Sequence, residues 1–373
     1  MNQGREFKLR LGDRKTFAFM ALGLVAFILY LWVFVGFDGL FTLLSKLNVY
    51  QYSLFLALAV GAFVVSVVFD SLIWHSLLDS LSVKVKLRKL VLYNWIGNFV
   101  ELIIPGATVG GEVVRIALAQ KETNHDTGIA AATVIGSRII STFVYSGGLL
   151  VAFALLLCTH QLPAFLITPV ILVVLGTAIT LSGIFVIAYK EGAVDTITRL
   201  ISKVIKRVMR NPEKQVIYTQ KIHDGIFSFS EVFKTFKKQP RKLIKPAFFA
   251  VAAWMFSLIV YLLIFYALNF TSISLIDLAT VYCIVTTVET VTAGVPVGAV
   301  EVTMVNMFAI YGVPLAVAGA ATTIVRLLTF WCQILVGYPI VEWMGIKSLL
   351  KGNIKPPVIV KPPVPTLTTE LKN

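Results

Sequence analysis

Residues 101–115 read ELIIPGATVGGEVVR, in which two glutamates and an arginine surround helix-breaking residues. The apolar stretches on either side, within residues 90–118, are about ten residues each, too short to cross a bilayer core of roughly 30 Å. We therefore predict a re-entrant helical hairpin. Its broken backbone must face protein or a wet cavity, because an unpaired amide costs several kcal/mol in hydrocarbon. The predicted break residues are Pro105, Gly106, Gly110 and Gly111.

The whole chain has the composition of a membrane protein. Hydrophobic residues make up 57% of it and charged residues 14%, whereas a soluble domain is roughly 25% charged. Apolar runs long enough to span a bilayer recur along the sequence, which predicts an all-α polytopic protein of the cell membrane. The formal charge of +14 arises from basic residues beside apolar segments. Membrane lipids, with anionic headgroups at the cytoplasmic face, are therefore the expected partners, and nucleic acid is not.

Lysine and arginine placement predicts the orientation, with both termini in the cytoplasm. We expect about six spanning helices, at about 17–37, 52–79, 128–158, 164–189, 246–268 and 315–342. A membrane domain over residues 1–345 contains a basic cytoplasmic insert at 190–245, whose amphipathic stretches are typical either of helices on an anionic membrane surface or of helices packed on the membrane domain. Residues 346–373 form a proline-rich cytoplasmic tail.

The opening motif recurs in the second half of the chain. Glu101 plus 188 is Glu289, and Arg138 plus 188 is Arg326, while Glu112 and Glu301 correspond after a shift of one residue. The second break is predicted at Gly294, Pro296 and Gly298, and the second hairpin at about 275–312. The two halves, about 15–160 and 163–345, enter the membrane from opposite sides. This predicts an inverted-topology internal repeat of the kind that builds transporters.

The charged residues at membrane depth are the candidate functional residues. Ionisable groups inside spans usually mark a path for a substrate or ion, although each acid here could simply pair with a neighbouring base. Arg138 and Arg326 each lie in an apolar span, where a guanidinium suits a phosphate. The predicted substrate-binding set, around one polar cavity, is Arg138, Arg326, Glu101, Glu112, Arg115, Glu289, Glu301 and Asn98. Asp70 and His75 are expected at the cytoplasmic boundary.

No catalytic, metal or cofactor motif emerges from the sequence. The histidines, His75, His125, His160 and His223, lack metal-ligand spacing. The cysteines, Cys158, Cys283 and Cys332, lie in apolar segments without pairing or CxxC spacing. There is no phosphate-binding loop with a lysine. We expect no cofactor, no metal and no enzymatic activity.

The two motifs resemble a known family. PGATVGGEVVR at 105–115 with Arg138, and PVGAVEVTM at 296–304 with Arg326, are similar to the flippase-like transmembrane region of the lysylphosphatidylglycerol synthases. The resemblance covers roughly 15–345 and implies movement of a lipid or lipid-linked molecule across the bilayer. Ser137 and Ser141 stand where many members carry acidic residues. Only the proline-rich tail follows Gly345, so the aminoacyl-transfer activity of the bifunctional synthases is not expected.

Three functions fit this sequence. The first is a flippase for a phospholipid or a lipid-linked intermediate. The second is a secondary transporter for a small anion, which a closed central cavity would favour. The third is a membrane subunit of a pathway that makes lipid-linked glycans. The sequence leaves open the substrate, the direction and energy source of transport, and the oligomeric state.

Overall fold

The computed structural model describes residues 47–103, 108–123, 127–159, 239–291 and 297–344, together with scattered single positions elsewhere. These residues form α-helices, with no strand among them, so the all-α prediction is confirmed. The helices are α1 (Val49–Ser80), α2 (Leu87–Ile103), α3 (Thr108–Ala119), α4 (Thr127–Thr159), α5 (Ile244–Ala267), α6 (Leu275–Val291), α7 (Ala299–Ile310), α8 (Leu315–Arg326) and α9 (Cys332–Trp343).

Four helical stretches are long and apolar enough to cross a membrane: Val49–Ser80, Gly128–Val151, Pro240–Ala267 and Leu315–Trp343. They coincide with four of the six predicted spans, and the chain is thus a multi-pass membrane protein. The other two predicted spans, about 17–37 and 164–189, lie outside the contiguously described residues. So do the insert at 190–245, apart from its last residues, and the tail at 346–373.

The second predicted spans of the two halves, α1 and α5, pack against each other in opposite directions. Phe55 of α1 contacts Tyr266 near the end of α5, whereas Phe69, further along α1, contacts Phe249 near its start. Between them, the hydroxyls of Ser66 and Ser257 are 2.9 Å apart. The contacting residues have rising numbers along α1 and falling numbers along α5, so the two helices are antiparallel. This is the arrangement that an inverted repeat requires.

Helices α2 and α3 form the first hairpin, because the start of one meets the end of the other. Lys89 in the first turn of α2 binds Glu122, just after α3, at 2.9 Å, and the Tyr93 hydroxyl donates to the same carboxylate at 2.9 Å. Burial would raise the pKa of Glu122, but the hydrogen bonds from Lys89 and Tyr93 outweigh it and lower that pKa. Both ends of the hairpin thus lie at one side of the protein.

Helices α6 and α7 form the second hairpin in the same way. Ser274 and Asp277 exchange backbone-to-side-chain hydrogen bonds of 3.2 and 3.1 Å and so fix the start of α6. Tyr311, at the end of α7, lies beside Thr280 and Asp277, near that start. Each hairpin has a first arm of 17 residues and a second of 12. The first arms are longer than the ten residues that the sequence indicated.

The break in the first hairpin is narrower than predicted. Pro105 and Gly106 lie outside the described residues, but Gly110 and Gly111 belong to the first turns of α3 and do not interrupt it. Gly111 allows close packing, since a side-chain carbon there would lie 2.6 Å from the Gly97 carbonyl oxygen. Glycine here lets α3 touch α2, which brings Glu101 and Glu112 together.

In the second hairpin, Gly294 and Pro296 also lie outside the described residues. Gly298 precedes α7 with a φ of 95°, a left-handed conformation that glycine adopts without strain. Gly298 is thus the one break residue that the structure describes with a non-helical backbone, and it stands where the prediction placed it.

The last span contains an irregularity that its repeat counterpart, α4, lacks. A π-helical turn, Leu327–Trp331, joins α8 to α9 directly after Arg326. A π-turn accommodates one extra residue in a helix and is frequent at functional sites. In agreement, Gly148 follows Arg138 by ten residues, whereas Gly337 follows Arg326 by eleven. The extra residue lets the two spans keep equivalent positions before and after it.

Cysteine labelling tests the inverted hairpins directly. In a variant without native cysteines, single cysteines at the exposed positions Lys84 and Lys121, which flank the first hairpin, should react from one side of the membrane only. Cysteines at Ser272 and Leu315, which flank the second, should react only from the other side. If Ser272 and Leu315 label from opposite sides, α6 and α7 cross the membrane together and the hairpin assignment is wrong.

Candidate functional site

Arg138, in the middle of the α4 span, holds the two glutamates of the first hairpin. Its Nη2 donates to Glu101 Oε2 at 2.9 Å, and its Nε donates to Glu112 Oε1. Glu101 lies near the end of α2 and Glu112 in the second turn of α3, so the arginine joins both arms of the hairpin to the span. We call these three residues the first clamp.

Arg115 supports the first clamp from within the hairpin. Its Nη1 donates to Glu112 at 2.9 Å, its Nη2 lies 3.5 Å from Glu101, and it also binds the Asn98 side chain. The Arg115 side chain is only 3% exposed, and its Nε has no hydrogen-bond partner among the described residues. Two arginines and two glutamates give this group a formal charge of zero.

Arg326 holds the two glutamates of the second hairpin in the same way. Its Nη1 donates to Glu289 Oε1 at 3.0 Å and its Nε donates to Glu301 Oε1 at 2.8 Å. Its guanidinium carbon lies 4.5 Å from the centre of the Phe330 ring, a cation–π contact. We call Arg326, Glu289 and Glu301 the second clamp.

The residues related by the repeat offset therefore form equivalent ion pairs in the two halves, which is the pairing that the sequence left open as the alternative to a substrate site. In sequence, the arginine lies 37 residues after the first glutamate in each clamp, and 26 or 25 residues after the second. Among the described residues, no ion pair links one clamp to the other. The charged residues thus form two separate clusters, and a single shared cavity between them stays a prediction.

The two clamps differ in exposure. The Arg138 side chain is 38% exposed, whereas the Arg326 side chain is 4% exposed and its Nη2 is buried without a partner among the described residues. Glu301 is 2% exposed, and its second oxygen accepts from the Gly298 amide at 2.6 Å, which closes the start of α7. The arginine of the first clamp is thus partly exposed and that of the second is buried, while Glu289 of the second clamp is 38% exposed.

Asp70 belongs to this centre and not to the cytoplasmic boundary where the sequence placed it. Its Oδ2 accepts from Asn94 Nδ2 at 2.6 Å, and its charge acts on Arg138 and Tyr145. Asp70 lies ten residues before the end of α1, which is about 15 Å along the helix. That depth brings the carboxylate close to the arginine.

Three tyrosines that the sequence analysis did not single out lie beside the clamps, two on spans and one on the second hairpin. The hydroxyls of Tyr145 on α4 and Tyr282 on α6 are 3.3 Å apart, and the Tyr261 ring of α5 packs edge-on against Tyr282 at 5.5 Å. Tyr145 lies within electrostatic reach of Arg138, and Tyr261 within reach of the second clamp. For Tyr145 and Tyr282, the signal in the sequence was a phenol two helical turns from the clamp residue of the same helix.

Helices α4 and α6 run antiparallel, so residue numbers that rise along α4 face residue numbers that fall along α6. Tyr145 faces Tyr282, and further along the pair Gly148 and Ala279 line one groove. Arg138 and Glu289 each lie seven residues, or two turns, from the tyrosine of their own helix.

A helical membrane protein with two oppositely inserted hairpins, each clamped to a span by an arginine between two glutamates, is the class that these observations define. Residues 20–337 match the family described as the lysylphosphatidylglycerol synthase transmembrane region. The chain belongs to this family, as the two motifs suggested.

Similar proteins occur in archaea. The chain is 24% identical over 330 residues to a UPF0104 membrane protein of Pyrococcus horikoshii, an alignment that covers 87% of this chain and 95% of the relative. It is 26% identical over 281 residues to a UPF0104 membrane protein of Methanothermobacter thermautotrophicus, covering 73% and 80%. No solved structure matches the chain.

Proposed function

We propose that this protein moves a lipid, or a lipid-linked molecule, with a phosphate in its headgroup across the bilayer, and that the phosphate binds Arg138. The observation that carries the proposal is the first clamp: a guanidinium in the middle of a span, 38% exposed and held in place by two glutamates. Such a group is costly in hydrocarbon, and ionisable residues at this depth usually serve transport.

Arg138 is positioned to bind an anion without leaving its partners. Its Nε and Nη2 donate to the glutamates, which leaves Nη1 as the nitrogen without a partner among the described residues. A guanidinium fixed in one orientation loses little freedom when it binds a phosphate oxygen. Glu101 and Glu112 are therefore positioning residues, and Arg138 is the residue that contacts the substrate.

Exposure favours the first clamp over the second as the phosphate site. Charge does not distinguish them: Arg138 and Arg115 face Glu101, Glu112 and the nearby Asp70, and Arg326 faces two glutamates, so each centre has a formal charge of −1. The Arg138 side chain is 38% exposed and the Arg326 side chain 4%, so a phosphate can reach Arg138 more easily.

An inverted repeat is typical of transporters that work by alternating access. The Arg138 side chain is 38% exposed and the Arg326 side chain 4%, and neighbours that differ between the halves, such as Phe330 beside Arg326, contribute to this difference. We propose that during transport the second hairpin separates from its span while the first closes.

Reconstitution tests the function. Purified protein in liposomes should accelerate the exchange of fluorescent phosphatidylglycerol or phosphatidylethanolamine between leaflets, measured by dithionite quenching of the outer leaflet. Protein-free liposomes and liposomes with heat-denatured protein serve as controls. The same vesicles loaded with radiolabelled phosphate report transport of a small anion. Phosphate flux with no lipid movement would replace the lipid proposal with the anion transporter, and an absence of both fluxes would overturn the proposal.

A further inference from the structure

An apolar groove opens between α4, α5 and α6 and has a volume of about 330 Å³. Its walls include Gly147 and Val151 from α4, Trp254 and Leu258 from α5, and Ile276 and Ala279 from α6. Val151 is 61% and Ile276 51% exposed, so the groove opens sideways, where a membrane offers hydrocarbon and not water. Volumes of this size are typical of sites for small molecules.

The groove leads to the charged centre. One turn inward from Gly148 and Ala279, which line the groove, α4 and α6 carry Tyr145 and Tyr282. Tyr261 of α5 packs edge-on against Tyr282. Two further turns along α4 lies Arg138. From Val151 to Arg138 is thirteen residues, or about 20 Å of helix. The path is apolar at its outer end, then lined by phenol groups, and ends at a cation. This order complements a lipid, whose apolar chain leads to a polar headgroup with an anionic phosphate.

We infer that this groove holds an acyl chain of the transported lipid while its headgroup is at Arg138. The inference rests on the proposed function and adds where the lipid's tail goes. The groove need not attract the acyl chain. The chain is surrounded by hydrocarbon in the membrane as well, so moving it into the groove lowers its free energy little. Its role is steric: a headgroup in the centre of the protein requires an open exit for the chain attached to it.

The glycine contacts do not distinguish the two halves. A side-chain carbon on Gly148 would lie 2.7 Å from the Trp254 ring, and one on Gly337 would lie 2.6 Å from Phe99 Cβ. The groove is instead defined by its own lining and its sideways opening.

The groove also determines the orientation of the bound lipid. It extends from Arg138 towards residues 268–274, the end at which α5 stops and α6 begins. A lipid whose chain points that way has its headgroup facing the opposite side, where α1 connects to α2. The substrate held in this state therefore comes from the leaflet on the side of residues 81–86, predicted to be cytoplasmic.

Gly147 offers a clean way to fill the groove. A side-chain carbon at this position meets no atom within 4 Å, so Gly147→Leu projects into the groove without disturbing the fold. Gly61 on α1 has the same open space and provides the matched control, Gly61→Leu. Both changes replace a glycine within a helix, so neither should lower thermal stability.

The experiment uses full-length protein in vesicles of phosphatidylglycerol and phosphatidylethanolamine. Trace phosphatidylglycerol carries a diazirine at the end of one acyl chain, and labelled peptides are located by mass spectrometry after illumination. We expect more label on the groove walls around Val151 and Ile276 than on the α1 surface around Gly61. Gly147→Leu should remove that enrichment and slow lipid exchange about tenfold to a hundredfold, whereas Gly61→Leu should change neither.

The two readouts separate this inference from the proposed function. Equal labelling of groove and α1 surface in the wild type, or unchanged labelling and exchange in Gly147→Leu, would overturn the groove while lipid exchange by the wild type still supports the function. Enriched labelling without any lipid exchange would retain the groove as a lipid site and reject transport.

Discussion

Replacing Arg138 by glutamine is expected to reduce lipid exchange about tenfold to a hundredfold while the protein remains folded. Arg138 supplies the charged contact to phosphate, and losing one charge-assisted hydrogen bond costs about 1.5–3 kcal/mol. The fold should survive because Glu101 and Glu112 keep Arg115 as a partner, at 3.5 and 2.9 Å. Lipid exchange in liposomes and thermal unfolding in detergent measure the two effects.

Lysine and a surface arginine provide the controls. Arg138→Lys keeps the charge but cannot hold two carboxylates and a phosphate in one plane, so we expect partial activity. Arg241→Gln removes an exposed arginine at the start of the 3₁₀ turn before α5 and should leave exchange unchanged. Normal exchange by Arg138→Gln would show that the first clamp only stabilises the hairpin, and the substrate contact would have to lie elsewhere.

The charges of the sequence indicated which residues recur in the two halves, but not how exposed each group is. The offset between Arg138 and Arg326 matched the offset between their glutamates, because an internal repeat preserves which residues meet. Exposure depends on packing that the repeat does not preserve. Phe330 covers Arg326, and Met304 stands where the first half has Arg115. Such differences in neighbours separate an open clamp from an enclosed one.

Two predictions from composition failed for physical reasons. Gly110 and Gly111 indicated a break because glycine weakens helices, yet both lie inside α3, and close contact with α2 makes glycine necessary at Gly111. Asp70 indicated the membrane boundary because a carboxylate is costly in hydrocarbon, yet Asn94 and the charge of Arg138 stabilise it deeper. In both cases tertiary contacts outweighed the local preference.

The tyrosines illustrate what periodicity alone leaves out. Tyr145, Tyr261 and Tyr282 lie in uniformly apolar helices, where no amphipathic pattern distinguishes one face from another. Their meeting depends on the antiparallel register of α4 and α6, which brings together residues 137 positions apart. That register comes from the folded structure.

The second clamp should show the largest effect on stability. Arg326→Gln leaves Glu301 ionised and 2% exposed with only the Gly298 amide as a partner. Breaking a buried ion pair by removing one member costs about 3–5 kcal/mol, because the remaining charge is uncompensated. We expect a marked fall in the unfolding temperature of Arg326→Gln, and a smaller one for Arg138→Gln, whose side chain is 38% exposed.

Glu301→Gln tests whether the uncompensated charge is the cause. This variant alone should be mildly destabilising, since Arg326 keeps Glu289 at 3.0 Å and the amide oxygen of the substituted side chain can still accept a hydrogen bond. Combined with Arg326→Gln, it removes the buried charge altogether, so the double variant should unfold at a higher temperature than Arg326→Gln. A double variant less stable than either single variant would mean that packing around the two side chains, and not the charge, sets the stability of the second hairpin.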